Sequence, residues 1–156
     1  MNGPKIETND IKNIRDGWKS IVGKMMAIQS FYLRSLNISR PAFFILHHLE
    51  SQGSESLVRL SHLIQVSKST ITSISDNLER GNLVRRIKNE KDRRSYYLAI
   101  EPKGKELLRK ISDLYDDLIK ALIENLGERE LEILEKAMII MKENLERMEM
   151  ELTEEE

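Results

Sequence analysis

From Ile11 the apolar positions Ile11, Ile14, Trp18, Ile21, Met25, Ile28, Tyr32 and Leu36 recur at steps of three and four. At 3.6 residues per turn such positions share one face, which predicts a long amphipathic helix, weakened slightly by Gly17 and Gly23. Ser39 is a good cap for a second helix, with Pro41 in its first turn, where a missing N–H costs nothing. Phe44, Ile45, Leu46 and Leu49 are its expected buried side, and Gln52-Gly53-Ser54 ends it. A short segment from Leu57 to Ile64 is expected to bury Leu57, Leu60, Leu63 and Ile64. Only Gln65-Val66 separates it from Ser67, the expected cap of a fourth helix over about Lys68 to Arg80, closed by Gly81-Asn82. Two short helices set end to end in this way predict a helix-turn-helix.

The period then changes. Leu83 to Lys88 and Ser95 to Ile100 are rich in β-formers, and the second alternates Tyr96, Leu98, Ile100 against Tyr97 and Ala99, so the pair reads as a hairpin. Its connection, residues 89–94, is too long for a tight turn and dense in charge, and is expected to project. Pro102 opens a fifth helix with Leu107, Ile111, Leu114, Leu118, Leu122 and Leu126 on its apolar side, broken at Gly127. In the sixth, Leu131, Leu134, Met138, Met141, Leu145, Met148 and Leu152 form a heptad seam that needs an apolar partner along its length. Packing within the chain is one solution. Pairing of the first and last helices between two chains is favoured, since both are long and the central unit is small.

Composition narrows the class. A chain of 156 residues with 40% apolar and 33% charged side chains, but only 5% aromatic, suits one helix-rich globular domain. The absence of cysteine excludes disulfides, thiolate metal sites and thiol nucleophiles. The polar N-terminus lacks a signal pattern and no stretch is long and apolar enough to span a bilayer, so a cytoplasmic protein without membrane contact is expected. His47, His48 and His62 are all the histidines, and neighbours on a helix point about 100° apart, which argues against a shared metal ion. No phosphate-binding glycine loop, zinc-protease pair or serine elbow occurs, and neither enzyme activity nor a cofactor is expected.

The net charge of -1 conceals strong segregation: residues 67–110 carry twelve basic and six acidic side chains, residues 111–156 five and fifteen. A basic middle is the footprint of a phosphate-bearing partner, although a solvated surface would look similar. The outer arc of the fourth helix carries Ser69, Thr72, Ser73, Asp76 and Arg80. Short hydroxyls let a helix backbone sit deep in a major groove, and Lys68 beside the free N–H groups of the helix start can hold a phosphate. Asp76 would repel phosphate unless it accepts from cytosine N4 or pairs with a neighbouring base such as Arg80, and the pairing is preferred. In the hairpin, Arg85, Arg86, Lys88, Lys91, Arg93 and Arg94 outnumber Glu90 and Asp92, a repulsive cluster without an anionic partner. A loop of this length, at roughly 3.3 Å per residue, reaches far enough to put an arginine into a minor groove.

Val66-Ser67-Lys68-Ser69-Thr70-Ile71-Thr72, then Asp76-Asn77-Leu78-Glu79, then Asp92-Arg93-Arg94-Ser95 and Gly104 resemble the MarR family's recognition helix and wing, and the helix order resembles the family over nearly the whole chain. The resemblance implies a mainly α winged helix-turn-helix of six helices with a small β-hairpin. In it, residues 1–156 form a single domain, with dimerisation helices over 9–36 and 103–152 and a DNA-binding lobe over 39–101. It implies a homodimeric, sequence-specific regulator of transcription, a repressor on a pseudo-palindromic duplex operator. Carried over by position, Ser67, Lys68, Ser69, Thr70, Thr72, Ser73 and Asp76 read the major groove. Lys88, Lys91, Asp92, Arg93 and Arg94 belong to the wing, Asp92 orienting an arginine. Ile14, Trp18, Leu131, Leu134, Met138, Met141, Leu145 and Met148 would pair the subunits. Members often hold a small aromatic or phenolic effector, for which Trp18, Met25, Met26, Tyr32 and His47 are candidate lining, although such residues equally suit a core. The chain departs from the family at Ser73, often arginine, so the operator cannot be borrowed, and at Ile100-Glu101, usually Leu-Thr, and Asn82, usually glycine, changes that leave the expected fold intact.

Overall fold

A computed structural model describes residues 7–88 and 96–154. Its elements run α1 (Thr8–Ser35), α2 (Arg40–Gln52), β1 (Glu55–Ser56), α3 (Leu57–Leu63), α4 (Lys68–Arg80), β2 (Val84–Lys88), β3 (Tyr96–Ile100), α5 (Pro102–Ile123) and α6 (Glu128–Glu154). The six helices and the small sheet are those of a winged helix-turn-helix. The helix starts follow their local chemistry. Ser39 Oγ accepts from the Ala42 N–H at 3.3 Å and Ser67 Oγ from the Thr70 N–H at 3.1 Å, each satisfying a donor that the first turn leaves open. Asn82, at φ 56°, takes the left-handed conformation just past α4, whereas Gly81 remains right-handed.

The antiparallel sheet has the order β1-β3-β2. Arg86 stands opposite Leu98 and Val84 opposite Ile100, while Glu55 and Ser56 add a third, two-residue strand on the far side of β3. That strand is not foreseen by the sequence pattern, because two polar residues carry no alternation.

One apolar cluster gathers Leu33 of α1, Ile45, Leu46 and Leu49 of α2, Leu60 of α3, Ile71 and Leu78 of α4, Val84, Leu98 and Ile111. Two expected core residues point elsewhere. Phe44 is 53% exposed, since Ala42, Ile45, Leu46 and Leu49 already occupy the inward face and Phe44 lies about 100° off Ile45. Leu63 is 52% exposed, and Ile64, four residues beyond Leu60, packs against the core instead. Gly104 is required by close approach: a Cβ there would meet the Leu83 carbonyl oxygen at 2.3 Å and Ile100 Cγ1 at 2.8 Å.

The chain divides into two compact units, residues up to Tyr115 and residues from Asp116 onward, the boundary falling within α5. In the second unit α6 buries none of its described side chains, and Leu134, Met138, Met141, Leu145, Met148 and Leu152 are between 36% and 66% exposed. Ile14 and Trp18 of α1 are likewise exposed. No helix among the described residues is long and apolar enough to cross a membrane.

Candidate nucleic-acid interface

The inward side of α4 is set by Ile71 and Leu78, with Ser75 fully buried between them and Ile74 only half-buried. With that side fixed against the core, Lys68, Ser69, Thr72, Ser73 and Arg80 face outward and Asp76 is half-buried beside them. The hydroxyls are not equivalent. Ser67 Oγ caps the helix and lies 2.9 Å from Ser69 Oγ and 2.8 Å from Thr70 Oγ1, forming a knot at the helix start. Thr72 Oγ1 donates to the Lys68 carbonyl at 2.8 Å, leaving its lone pairs to accept. Ser73 is exposed at the middle of the arc.

Asp76 is paired, but with Arg86 of β2 rather than Arg80. Arg80 turns toward the helix itself, its Nε donating to the Asp76 carbonyl at 3.4 Å and its Nη2 to Asn77 Oδ1. A partner three or four residues along the helix was the natural expectation; the sheet instead delivers one from ten residues away. Arg86 Nη2 also donates to Ser75 Oγ at 2.6 Å, and its Nη1 lies 3.5 Å from Glu79 Oε2. Arg85 pairs with Glu101 at 2.9 Å. Both arginines are therefore engaged by acids outside the hairpin loop, which corrects the picture of six cations facing only Glu90 and Asp92. Lys88 is exposed at the end of β2, while Lys91, Asp92, Arg93 and Arg94 lie outside the described residues.

A cavity of about 680 Å³ opens between the α1–α2 turn, α4 and the start of α5, floored by Leu36, Ile38, Ile74 and Leu107. Trp18, Met25, Met26, Tyr32 and His47 do not line it; His47 borders two other clefts, formed with Phe44 and Leu63 and with Phe43 and Tyr115. At its rim a hydrogen bond from Lys110, 3.0 Å from Glu106 Oε1, and the charge of that ammonium hold the Glu106 carboxyl below the usual carboxylate range. Both side chains are exposed, so the pair adds little stability. Among the described residues no group of three or more histidines and acids is placed to hold a metal ion.

Residues 38–96, from the α1–α2 turn to the start of β3, match the model of the MarR family. The chain is 28% identical over 128 residues to the transcriptional repressor MprA of Escherichia coli (strain K12), a match covering 81% of this chain and 73% of that one. It superposes on the transcriptional regulator Tm0710 from Thermotoga maritima with a TM-score of 0.71 and 26% identity, covering 85% and 96% of the two chains. A mutant of S. aureus MepR bound to oligodeoxyribonucleotide has the same fold, with a TM-score of 0.70 at 21% identity, over 85% and 97%. Over residues 38–96 the chain thus carries the pattern of the MarR family, and its helix order and sheet are similar to those of solved transcriptional regulators.

Proposed function

We propose that the chain is a sequence-specific duplex-DNA-binding regulator of transcription, a repressor that grips a pseudo-palindromic operator as a homodimer. The observation that carries this reading is the outward arc of α4, polar and short in its side chains at Ser69, Thr72 and Ser73, with Lys68 at its start. Such a face suits a major groove, and phosphate can rest against the helix N-terminus. The wing would be completed by Lys88 and, from the sequence, by Lys91, Asp92, Arg93 and Arg94 entering the neighbouring minor groove. The MepR structure with oligodeoxyribonucleotide supports a nucleic-acid partner for this fold. Such a partner also fits a cytoplasmic protein.

Homodimerisation is supported by the exposed seam of α6 and by Ile14 and Trp18 of α1. Two paired subunits would set their recognition helices roughly 34 Å apart, one turn of duplex. Relief by a small aromatic or phenolic ligand is the finer part of the proposal, and the cavity beside α4 has a suitable size. A ligand there would act only by binding two arrangements of the readers unequally.

The test is retardation of genomic duplex fragments across a salt series. Log affinity should fall linearly with log salt, by about 0.9 for each phosphate neutralised. Arg94→Ala should weaken binding by kilocalories, roughly 1–3 kcal/mol, and flatten that slope by about one, whereas Arg109→Ala should do little. Equal losses in both variants count against the wing, and a chain that retards no duplex at modest ionic strength refutes the reading.

A further inference from the structure

Arg86 does work that neither the recognition helix nor the wing explains by itself. It sits at the centre of β2, two residues before the strand ends, and its guanidinium reaches three residues of α4: Ser75, Asp76 and Glu79. Ser75 is wholly buried, and its hydroxyl donates to the Thr72 carbonyl at 2.8 Å while accepting from Arg86. The strand leading toward the hairpin connection is thus linked, through the side chains of Arg86 and Ser75, to the backbone of Thr72 on the outward arc. Arg86 Nε is buried with no hydrogen-bond partner among the described residues. An unmet donor is costly, so the group is oriented for its Nη contacts at its own expense. A planar fork can hold a hydroxyl and two carboxylates together; a lysine ammonium, a point charge on a flexible stem, cannot.

Charge gives the second half of the inference. Asp76 lies four residues from Thr72 and three from Ser73, and its side chain is 47% exposed. A bare carboxylate there would repel phosphate, yet Arg86 of β2, only 26% exposed, pairs with it. We propose that Arg86 is a specificity-determining positioning residue. It locks the recognition helix and the wing strand at one angle and cancels the charge of Asp76, so that α4 meets a base sequence in a single register. This rests on the DNA-binding reading above and adds to it the group that sets its selectivity without touching DNA.

The experiment uses the full chain to select a preferred duplex from a random-sequence pool. Affinities are then measured for that duplex and a scrambled one, over a salt series, for wild type, Arg86→Lys and Asp76→Asn, alongside thermal melting. For Arg86→Lys the selected duplex should lose about tenfold or more and the scrambled one less than about threefold, since the formal charge survives. For Asp76→Asn, a milder change to the fold, scrambled-duplex affinity should rise about two- to fivefold as a phosphate-facing charge is removed, while the preference for the selected duplex still falls. A preference unchanged within about twofold in both variants, whatever happens to melting, assigns Arg86 to fold stability alone and overturns the proposal. Equal losses on both duplexes for Arg86→Lys make Arg86 a sequence-independent backbone contact and overturn it too. If wild type retards neither duplex, it is the DNA-binding reading itself that has failed.

Discussion

The helix-turn-helix lobe and the last helix use apolar residues in opposite ways. From Ile38 to Leu98 ten apolar side chains among the described residues are buried around one centre, drawn from three helices, the α1–α2 turn and two strands. Over the 27 residues of α6 none of the described side chains is buried, although its seam repeats with greater regularity than any pattern in the lobe. Full burial of a Leu or Ile stabilises by about 1.5–3 kcal/mol, so the lobe draws its stability from its own chain. An isolated helix in water is marginal even at favourable composition, and a long exposed seam marks a surface awaiting a complement. Periodicity alone therefore says that a face is apolar, not what covers it.

Charging the seam should break this contrast most severely. Met138→Glu with Leu145→Glu would put four carboxylates into the proposed dimer interface, at several kcal/mol per buried ion, on the order of 10 kcal/mol per dimer. Analytical ultracentrifugation should then find only single subunits at micromolar concentration, with operator affinity lost. If the double variant sediments as wild type does, the seam is not the interface.

In the lobe the corresponding experiment is Leu46→Ala, at a side chain with no exposure. Deleting its methyl groups should cost about 2–5 kcal/mol, since a close-packed site collapses only in part. Denaturant unfolding of the lobe should show the midpoint falling with an unchanged slope. A loss below about 1 kcal/mol would mean that Leu46 is not the keystone its burial implies.

The same contrast explains what could be read from sequence. Ser39, Pro41, Ser67 and Asn82 mark helix ends through chemistry confined to a few residues, and the helices stand where those signals put them. The partner of Asp76 was not readable in that way, because it depends on which strand residue faces α4 once β2 and β3 are in register. β1 exists only because the edge of β3 is there to pair with it. Phe44 and Leu63 sit in apolar runs where each neighbour competes for the same inward direction, a contest settled by packing rather than by hydropathy. Of the candidate site, the arc of α4 was legible from its spacing, whereas the buried Ser75 and the role of Arg86 required the third dimension.

The smallest effect tests the seam between local and tertiary control. Ser67→Ala removes the oxygen that accepts from the Thr70 N–H and meets the hydroxyls of Ser69 and Thr70. Losing the cap alone should cost about 1 kcal/mol of stability. The core contacts of Ile71 and Leu78 remain, so α4 should stay folded, with hydrogen exchange quickening in its first turn and not at Leu78. In DNA binding the variant should lose affinity for every duplex alike if, as proposed, the turn that Ser67 caps holds a phosphate rather than a base. Accelerated exchange along all of α4 would instead show that the cap governs the helix, and that local chemistry rather than the core holds the reader in place.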